Sequence, residues 1–391
     1  MVLGSRTRMT TNLHELFLRL VRLGLGCADD NDNLDLNVNL NGGVSWQALE
    51  NVANEQGLLG VMLDGVEKLP RELRPEKKAT LQSIGQLIQS EQQYAVQEHA
   101  AAEMGLLLHQ HGIRTYVLKG TVVAECYPRP EHRRSVDMDC FLVNDNENDN
   151  LNLDLNVEVW EKGNRVVEEA GFEVARGFYK NSTFHLPGLT VENHKFMTPC
   201  RDSARLKRLE RMLQGMIVND NENLNDNEKG ASERQFEGTW MYRPPVMVSA
   251  LFLIEHAYSH FLHEGLTSRH VLDWAMFSRR HQEEIDWNTF DALVDEFGFR
   301  KFYESYARLG RYLLGDIVDT DLTAEESRML ADVWAPLDLH ETLHGVKAKF
   351  QLAGNYWRAR WKYNLFTDIT WVRALMEWVL GAVFDKQPRL D

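Results

Sequence analysis

The sequence predicts an α+β fold: a small mixed β-sheet core flanked by an N-terminal helical segment and a larger C-terminal helical bundle. Three observations favour this class. Between residues 113 and 197, short apolar runs are separated by Gly and Pro turns, as is typical of strands. Before and after this stretch, apolar residues recur at helical spacing. Hydrophobic residues make up 43% of the 391 residues, which is enough to build the cores of two or three domains.

The N-terminal segment, residues 1–111, is predicted to be a helical scaffold. Residues 12–26 place their apolar side chains on one side of a helix. Ser45 is a typical N-cap for the next helix, and residues 58–67 are expected to continue as helix. Residues 75–111 have helical spacing throughout, which predicts one long helix, or two, packed against the sheet.

The central segment, residues 112–200, is predicted to form the sheet. An apolar strand begins at Ile113 and breaks at Gly120, and a second strand runs over 136–143. An amphipathic helix is expected over 157–171. Three short strands close the segment, at 172–178, 182–186 and 189–197, with Pro187–Gly188 as the hairpin turn between the last two.

The second strand carries Asp137 and Asp139. Side chains at i and i+2 of a strand point to the same face, so the two carboxylates are expected to lie close together. Like charges this close need a compensating cation, and carboxylate oxygens are the ligands that Mg²⁺ prefers. Gly120, at the preceding strand-to-helix turn, would let a phosphate approach backbone N–H groups. The pattern therefore predicts a site for a metal ion and a polyphosphate.

Three ordered motifs resemble those of a known group of enzymes. They are Leu118-Lys119-Gly120, Arg134-Ser135-Val136-Asp137-Met138-Asp139 and Val191-Glu192-Asn193-His194. This LKG…R…DxD…ExH order is similar to that of nucleotidyltransferases of the DNA-polymerase-β-like superfamily, and more narrowly of an uncharacterised bacterial branch. The resemblance covers roughly residues 85–315 and continues into the helical bundle that follows the sheet.

The resemblance implies a function and a set of site residues. Such enzymes transfer a nucleoside monophosphate from ATP or another NTP to a hydroxyl-bearing acceptor and release pyrophosphate. Two Mg²⁺ ions, or Mn²⁺, are the expected cofactors. The expected catalytic residues, which are also the expected metal ligands, are Asp137, Asp139 and Glu192. The expected nucleotide-binding residues are Lys119, Gly120, Thr121, Arg134 and Arg269.

The C-terminal segment, residues 201–391, is predicted to be almost entirely helical after Pro245. Arg269 and Asp273 lie one helical turn apart, and an ion pair between them is the simplest role for both. An alternative metal site is offered by three histidines on one face of the preceding helix: His256, His260 and His263.

Three low-complexity tracts rich in Asp, Asn and Leu interrupt the chain at 29–41, 144–157 and 219–227. They carry eleven acidic residues and no Lys or Arg, so they account for most of the net charge of −15. Inserted loops without chemistry are the predicted interpretation, because each tract falls where a connection is expected. Alternation of apolar and polar residues over 34–40 and 151–157 leaves an added edge hairpin as the alternative.

Composition and charge indicate the cellular location and the classes of partner to expect. Four scattered cysteines favour a reducing, cytoplasmic location, and no apolar run predicts a membrane-spanning helix or a signal peptide. Outside the acidic tracts the charges nearly balance, so no extended nucleic-acid surface is expected. The expected partners are an NTP and an acceptor that the sequence does not identify, and it leaves the oligomeric state open.

Two other functions stay open from the sequence. The fold could bind a nucleotide without turning it over, and so act as a sensor or scaffold. Residues 369–384, which are rich in aromatic and apolar side chains, could instead lie on a membrane surface as an amphipathic helix.

Overall fold

A computed structural model describes most of the chain. The described residues are 2–28, 45–75, 77–145, 153–176, 179–199, 203–226, 234–335, 346–368, 370–373 and 376. They form a six-stranded mixed sheet with helical segments before and after it. The predicted α+β fold class is therefore confirmed.

The strands are β1 (Ile113–Val117), β2 (Asp137–Asn144), β3 (Val174–Ala175), β4 (Asn181–Leu186), β5 (Leu189–His194) and β6 (Met241–Tyr242). Their order across the sheet is β3-β4-β5-β2-β1-β6. The strand β2 pairs antiparallel with β1 and parallel with β5, and β6 adds parallel to the far side of β1. Gly188, with a φ of 71°, makes the tight turn between β4 and β5.

Helices before the sheet are α1 (Val2–Leu25), α2 (Trp46–Glu55), α3 (Leu59–Lys68) and α4 (Lys77–Gln110). Those between strands are α5 (Thr121–Ala124), α6 (Leu153–Glu169) and α7 (Ala204–Asp226). After β6 follow α8 (Val246–His263), α9 (Ser268–Arg280), α10 (Trp287–Glu296), α11 (Arg300–Leu314), α12 (Ala324–Val333) and α13 (Val346–Phe366). The prediction of an N-cap at Ser45 is confirmed, because its side chain accepts a hydrogen bond from the Ala48 N–H.

Helices cover both faces of the sheet. On one face α6 lies against β2 so closely that a Cβ on Gly163 would fall 2.3 Å from Leu142. Asp139 is an odd number of positions from Leu142, so its side chain points to the opposite face. There α8 packs against the sheet, and Phe252 meets the ring of His194 edge-on at a centroid distance of 5.8 Å. The carboxylate face of the sheet is therefore covered by the C-terminal helices.

The structure corrects three predictions of secondary structure. The second low-complexity tract, predicted as a loop with an edge hairpin as the alternative, is helical from Leu153, where α6 begins. The third tract is not a loop over its described residues, because α7 continues to Asp226. The strand predicted over 172–178 is limited to Val174–Ala175 among the described residues. Asn and Asp disfavour a helix by less than about 1 kcal/mol each, which an already formed helix can override.

Two predicted segments lie wholly or mostly outside the described residues. They are the first tract, 29–41, and the segment 369–384. None of the helices in the described ranges is both long enough and apolar enough to cross a membrane. The division of the chain after residues 111 and 200 stays a prediction, although β6, from beyond residue 200, completes the sheet.

Candidate functional site

The carboxylate face of the sheet brings three potential metal ligands together. The parallel register of β2 and β5 places Asp139 beside Glu192. His194 lies two residues beyond Glu192 on β5 and points to the same face. One ligand atom from each of Asp139, Glu192 and His194 lies within 4.8 Å of the others, and no second group of this kind occurs in the described part of the chain.

Asp139 is the most buried member of this group, with no exposed surface. Its Oδ1 accepts a hydrogen bond of 2.7 Å from His194 Nε2, whereas its Oδ2 has no hydrogen-bond partner among the described residues. Burial by itself favours the neutral acid, but the hydrogen bond from His194 and the charge of Lys119 outweigh burial and lower the pKa of Asp139. Asp139 is therefore a carboxylate with one oxygen left for a ligand.

His194 is held between two oxygen acceptors. Its Nδ1 lies 3.2 Å from the carbonyl oxygen of Phe196, and its Nε2 faces Asp139. Each ring nitrogen faces an oxygen, so the two contacts hold the imidazole ring in a fixed orientation beside Asp139. The sequence motif contained His194 but gave it no role in the site. Its spacing of two residues from Glu192 on a strand was the signal that it shares the same face.

Glu192 lies on the open side of the group, with 33% of its side chain exposed. Its Oε2 accepts a hydrogen bond of 2.6 Å from Asn181 Nδ2, at the start of β4. Partial burial, and then the negative charge of Asp139, raise the pKa of Glu192. The two carboxylates thus have opposite pKa shifts, an arrangement that suits one fixed anionic ligand and one proton acceptor.

Asp137 lies on the same face of β2 but outside the convergent group. It is the first residue of the strand, is half-buried, and stands in register with Thr190 instead of Glu192. One full strand repeat, about 6–7 Å, separates it from Asp139. The structure therefore brings two of the three predicted acids together, and His194 takes the third place.

The donor set of the convergent group fits a divalent cation. Two carboxylates and one imidazole are ligands that Mn²⁺ accepts, and Mg²⁺ favours the carboxylates. Asp139 Oδ2 is a buried acceptor that a cation would satisfy. A bound cation would also offset the repulsion between Asp139 and Glu192.

Lys119 follows β1 and is buried beside this group. Its Nζ lies 2.9 Å from Nε2 of His256, on α8. Burial, and then the charge of Lys119, lower the pKa of His256 well below 6.5, so the imidazole is neutral and can accept a hydrogen bond from the amine. This contact holds the Lys119 amine in place while its charge acts on Asp139.

The histidines on α8 are arranged differently from the prediction, because His270 from α9, and not His263, lies next to His260. The rings of His256 and His260 are 4.5 Å apart, and the ring of His270 on α9 stands 5.3 Å from that of His260. His263 is exposed, and its Nδ1 donates to the Ser259 carbonyl. These rings do not bring their ligand atoms close enough for a metal-binding group in the described residues. The predicted alternative metal site at His256, His260 and His263 is therefore wrong.

Gly120 makes the turn between β1 and the four-residue helix α5. Its φ of 93° and ψ of −110° lie in a region that side-chain-bearing residues rarely adopt. A Cβ on Gly120 would fall 3.3 Å from the carbonyl oxygen of Asp137. The turn therefore runs directly against the start of β2, and Thr121 begins α5 at the same place.

The basic residues before β2 have separate surroundings. Arg134 is exposed, whereas Arg133 is buried and forms a two-bond ion pair with Asp273, with Nε–Oδ1 and Nη2–Oδ2 distances of 2.8 and 2.6 Å. Arg269 and Asp273 therefore do not form the ion pair that was the simpler alternative for them. Arg269 Nη1 instead donates to the Arg134 carbonyl. The planar guanidinium of Arg133 donates to both oxygens of Asp273. Arg269, on the same helix as Asp273, makes no such two-bond contact.

Lys180, which no sequence motif marked, adds positive charge to the same face. Its Nζ lies 3.6 Å from Oε2 of the buried Glu255 and 5.7 Å from the ring centroid of Phe252. It is also close enough to influence Asp139 electrostatically. Lys180 precedes β4, so only the pairing of β4 with β5 brings it to the site.

The fold and this geometry can be compared with known proteins. A family model described as "Uncharacterised nucleotidyltransferase" matches residues 42–315, a range that includes the sheet, the Gly120 turn and the convergent group. A search of curated proteins and a search of solved structures gave no match. The matched range is more than half of the chain, so the protein belongs to this uncharacterised nucleotidyltransferase family, which supports a role in nucleotidyl transfer.

Proposed function

We propose that this protein is a metal-dependent nucleotidyltransferase that moves a nucleoside monophosphate from ATP or another NTP to an acceptor hydroxyl and releases pyrophosphate. The observation that carries the proposal is the convergence of Asp139, Glu192 and His194 within 4.8 Å. The buried, unpartnered Oδ2 of Asp139, as judged within the described ranges, supports it. Carboxylates of this kind beside a glycine turn are the parts that phosphoryl transfer uses.

The metal ligands and the phosphate-binding residues would come from different elements. Asp139 and Glu192 would hold one Mg²⁺ or Mn²⁺ ion, and Asp137 would share a second ion with Asp139. Bound divalent ions supply charge stabilisation to the oxygens that enter and leave the phosphorus. The residues that would bind the nucleotide are Lys119, Gly120, Thr121, Arg134 and Arg269.

The transfer forms one bond to the α-phosphorus and breaks another. The acceptor oxygen attacks the α-phosphorus while the bond to the bridging oxygen of the leaving pyrophosphate breaks. The proton of the acceptor hydroxyl would go to Glu192, the acid on the open side of the group. His194 acts on Asp139 and keeps that carboxylate oriented.

A second candidate function is nucleotide binding without turnover. It is favoured by the position of Asp137, which lies outside the convergent group and leaves the second metal position with fewer ligands nearby. This candidate keeps the same fold and the same nucleotide-binding residues, so the difference between the two candidates is chemical turnover.

The decisive experiment measures pyrophosphate release from each NTP, with Mg²⁺ or Mn²⁺ and a metabolite extract as the source of acceptor. We expect Asp139→Asn to lower the rate by about 100-fold or more, because a preorganised charge is lost. Glu192→Gln should lower it by a similar factor through loss of the general base. Glu173→Gln, an exposed acid just before β3, is the matched control and should retain the full rate.

Two outcomes separate the candidates. Release of pyrophosphate that depends on the metal and on Asp139 supports turnover. Tight NTP binding by calorimetry without release by the wild type would instead assign the second candidate. Release that Asp139→Asn does not affect would contradict both.

A further inference from the structure

A cavity of about 550 Å³, with a mixed polar and apolar lining, lies at one end of the sheet, outside the convergent group. Its walls come from α2, the start of α3, α4, the segment that precedes β2 and the turn that precedes β5. This volume falls within the range of about 300–1,000 Å³ that is usual for small-molecule sites. The cavity is large enough for a ligand of several rings.

The face of α4 that lines the cavity carries four amide side chains, beside Leu87, Ser90 and Tyr94. Gln86, Gln89, Gln93 and Gln97 are spaced by three or four residues, which places them on a single side of the helix. Gln93 donates a hydrogen bond of 2.6 Å to the Gly188 carbonyl, and Gln97 donates one of 3.4 Å to the Ser135 carbonyl. These contacts fix two of the amides at the cavity wall.

The fixed charges around the cavity are few and largely neutralised. His132 is held between Asp64 and Glu91, at distances of 2.8 and 3.0 Å. Arg133 is committed to its buried pair with Asp273. The remaining charged side chains of the wall, Glu131 and Arg134, have opposite signs. The cavity therefore offers amide donors and acceptors without a strong net charge.

The cavity opens at the ends of both strands that carry the acids. Val136, in its wall, directly precedes β2, and Gly188, also in its wall, directly precedes β5. Along these strands Asp139 is three residues from Val136, and Glu192 is four residues from Gly188, so each lies about 10–13 Å away. A ligand seated in the cavity must be about this long to reach the carboxylates.

We propose that this cavity binds the acceptor, and that the acceptor is an uncharged, hydroxyl-rich molecule such as a short oligosaccharide. The inference rests on the proposed nucleotidyl transfer. Amides donate and accept hydrogen bonds at once, as vicinal hydroxyl groups require, and they bind without demanding an opposite charge. The acceptor is held at its remote end by the amide face of α4, while its terminal hydroxyl reaches Glu192.

The test is a printed array of neutral and anionic oligosaccharides probed with the fluorescently labelled, full-length protein. Three proteins are compared: wild type, Gln86→Ala/Gln89→Ala, and Gln82→Ala/Gln92→Ala. The last pair lies on the same helix, is exposed and does not line the cavity, so it controls for loss of amides in general. Circular dichroism checks that all three are folded.

We expect the wild type and the control pair to bind neutral glycans, and Gln86→Ala/Gln89→Ala to bind them at least about fivefold more weakly, as the loss of one or two hydrogen bonds implies. Preference for anionic glycans, absence of glycan binding, or equal binding by all three proteins would overturn the proposal. So would an increase in the KM for NTP in Gln86→Ala/Gln89→Ala, since the cavity would then hold the nucleobase. Pyrophosphate release by the wild type is scored separately: glycan binding without release would remove the enzyme function but leave the binding site.

Discussion

Asp139 and Glu192 are neighbours across two strands, yet their surroundings push their pKa values in opposite directions. Asp139 is the more buried of the two, but it receives a hydrogen bond from His194 and the positive charge of Lys119. Glu192 faces the negative charge of Asp139 and is only partly buried. The hydrogen bond and positive charge at Asp139, against burial and a neighbouring negative charge at Glu192, therefore decide which acid is a fixed anion and which can exchange a proton.

At this scale, His256 is predicted to position Lys119 for the triphosphate. His256→Leu removes the acceptor of the 2.9 Å hydrogen bond and should weaken NTP binding about tenfold, the effect of one hydrogen bond to a charged group. His256→Gln keeps an acceptor and should restore most of the affinity. Calorimetry with NTP and NMP checks this, because NMP lacks the phosphates concerned and should bind both variants equally. Equal loss of NTP and NMP binding would point to a merely structural role.

Glu255 is predicted to make stability depend on pH. It is buried beside Lys180, and burial raises its pKa above the ordinary value of 4.5 despite that neighbour. Because its pKa is higher in the folded state, Glu255 contributes stability below pH 4.5, and this contribution is lost as the pH rises through the folded-state pKa. Glu255→Gln should therefore become more stable than the wild type as pH increases, in urea unfolding followed from pH 4 to 8.

The exposed substitution Glu173→Gln is the control for this pH series and should follow the wild type at every pH. A constant difference between Glu255→Gln and the wild type across the range would contradict the raised pKa of Glu255.

At the scale of elements, the turn between β1 and α5 fixes where phosphates can approach. Gly120 adopts a φ of 93°, and a Cβ added there would fall 3.3 Å from the carbonyl oxygen of Asp137. The turn and the first residue of β2 therefore have to move together. A side chain at this position would strain the backbone and crowd the catalytic strand at once.

Gly120→Ala is predicted to lose both stability and activity. The strained backbone should cost about 1–3 kcal/mol in the free energy of unfolding, and the shift of Asp137 should reduce pyrophosphate release. Gly171→Ala is a matched control, because Gly171 also has a positive φ, of 97°, but a Cβ there would meet nothing within 4 Å. It should lose stability while keeping its rate. Full activity in Gly120→Ala would show that the turn does not define the site.

At the scale of the whole molecule, one apolar core runs from Leu16 in α1 to Phe366 in α13 among the described residues. The pair of Arg133 and Asp273 is buried within it and joins the segment before β2 to α9. The hydroxyl of Tyr127 also donates to Asp273 Oδ1, at 2.9 Å. This polar connection ties the sheet to the C-terminal helices.

Asp273→Asn is predicted to destabilise the whole fold by about 3–5 kcal/mol, because it leaves the buried charge of Arg133 without its counter-ion. Arg133→Leu/Asp273→Leu removes both charges and should be less destabilised than Asp273→Asn. Asp295→Asn, in the exposed pair with Arg300, is the control and should change little. Urea unfolding measures all three. A double variant as unstable as the single one would show that the pair does more than cancel charge.

The sequence by itself determined which side chains share a face. Strand alternation places Asp137 with Asp139, and Glu192 with His194, whatever the strands pair with. Helical spacing likewise determined α4 and α8. These are local properties, set by backbone geometry within a few residues, so the fold class followed from them.

Only the tertiary structure decided which faces meet. His194 and Asp139 are 55 positions apart, and their hydrogen bond depends on the parallel register of β2 with β5. Register and helix approach depend on the sum of many weak contacts between distant segments, which no local pattern reveals. For the same reason Asp273 pairs with Arg133, 140 positions away, instead of with its helix neighbour Arg269. The sequence determined the chemistry of each surface, and the packing of those surfaces decided which residues act together.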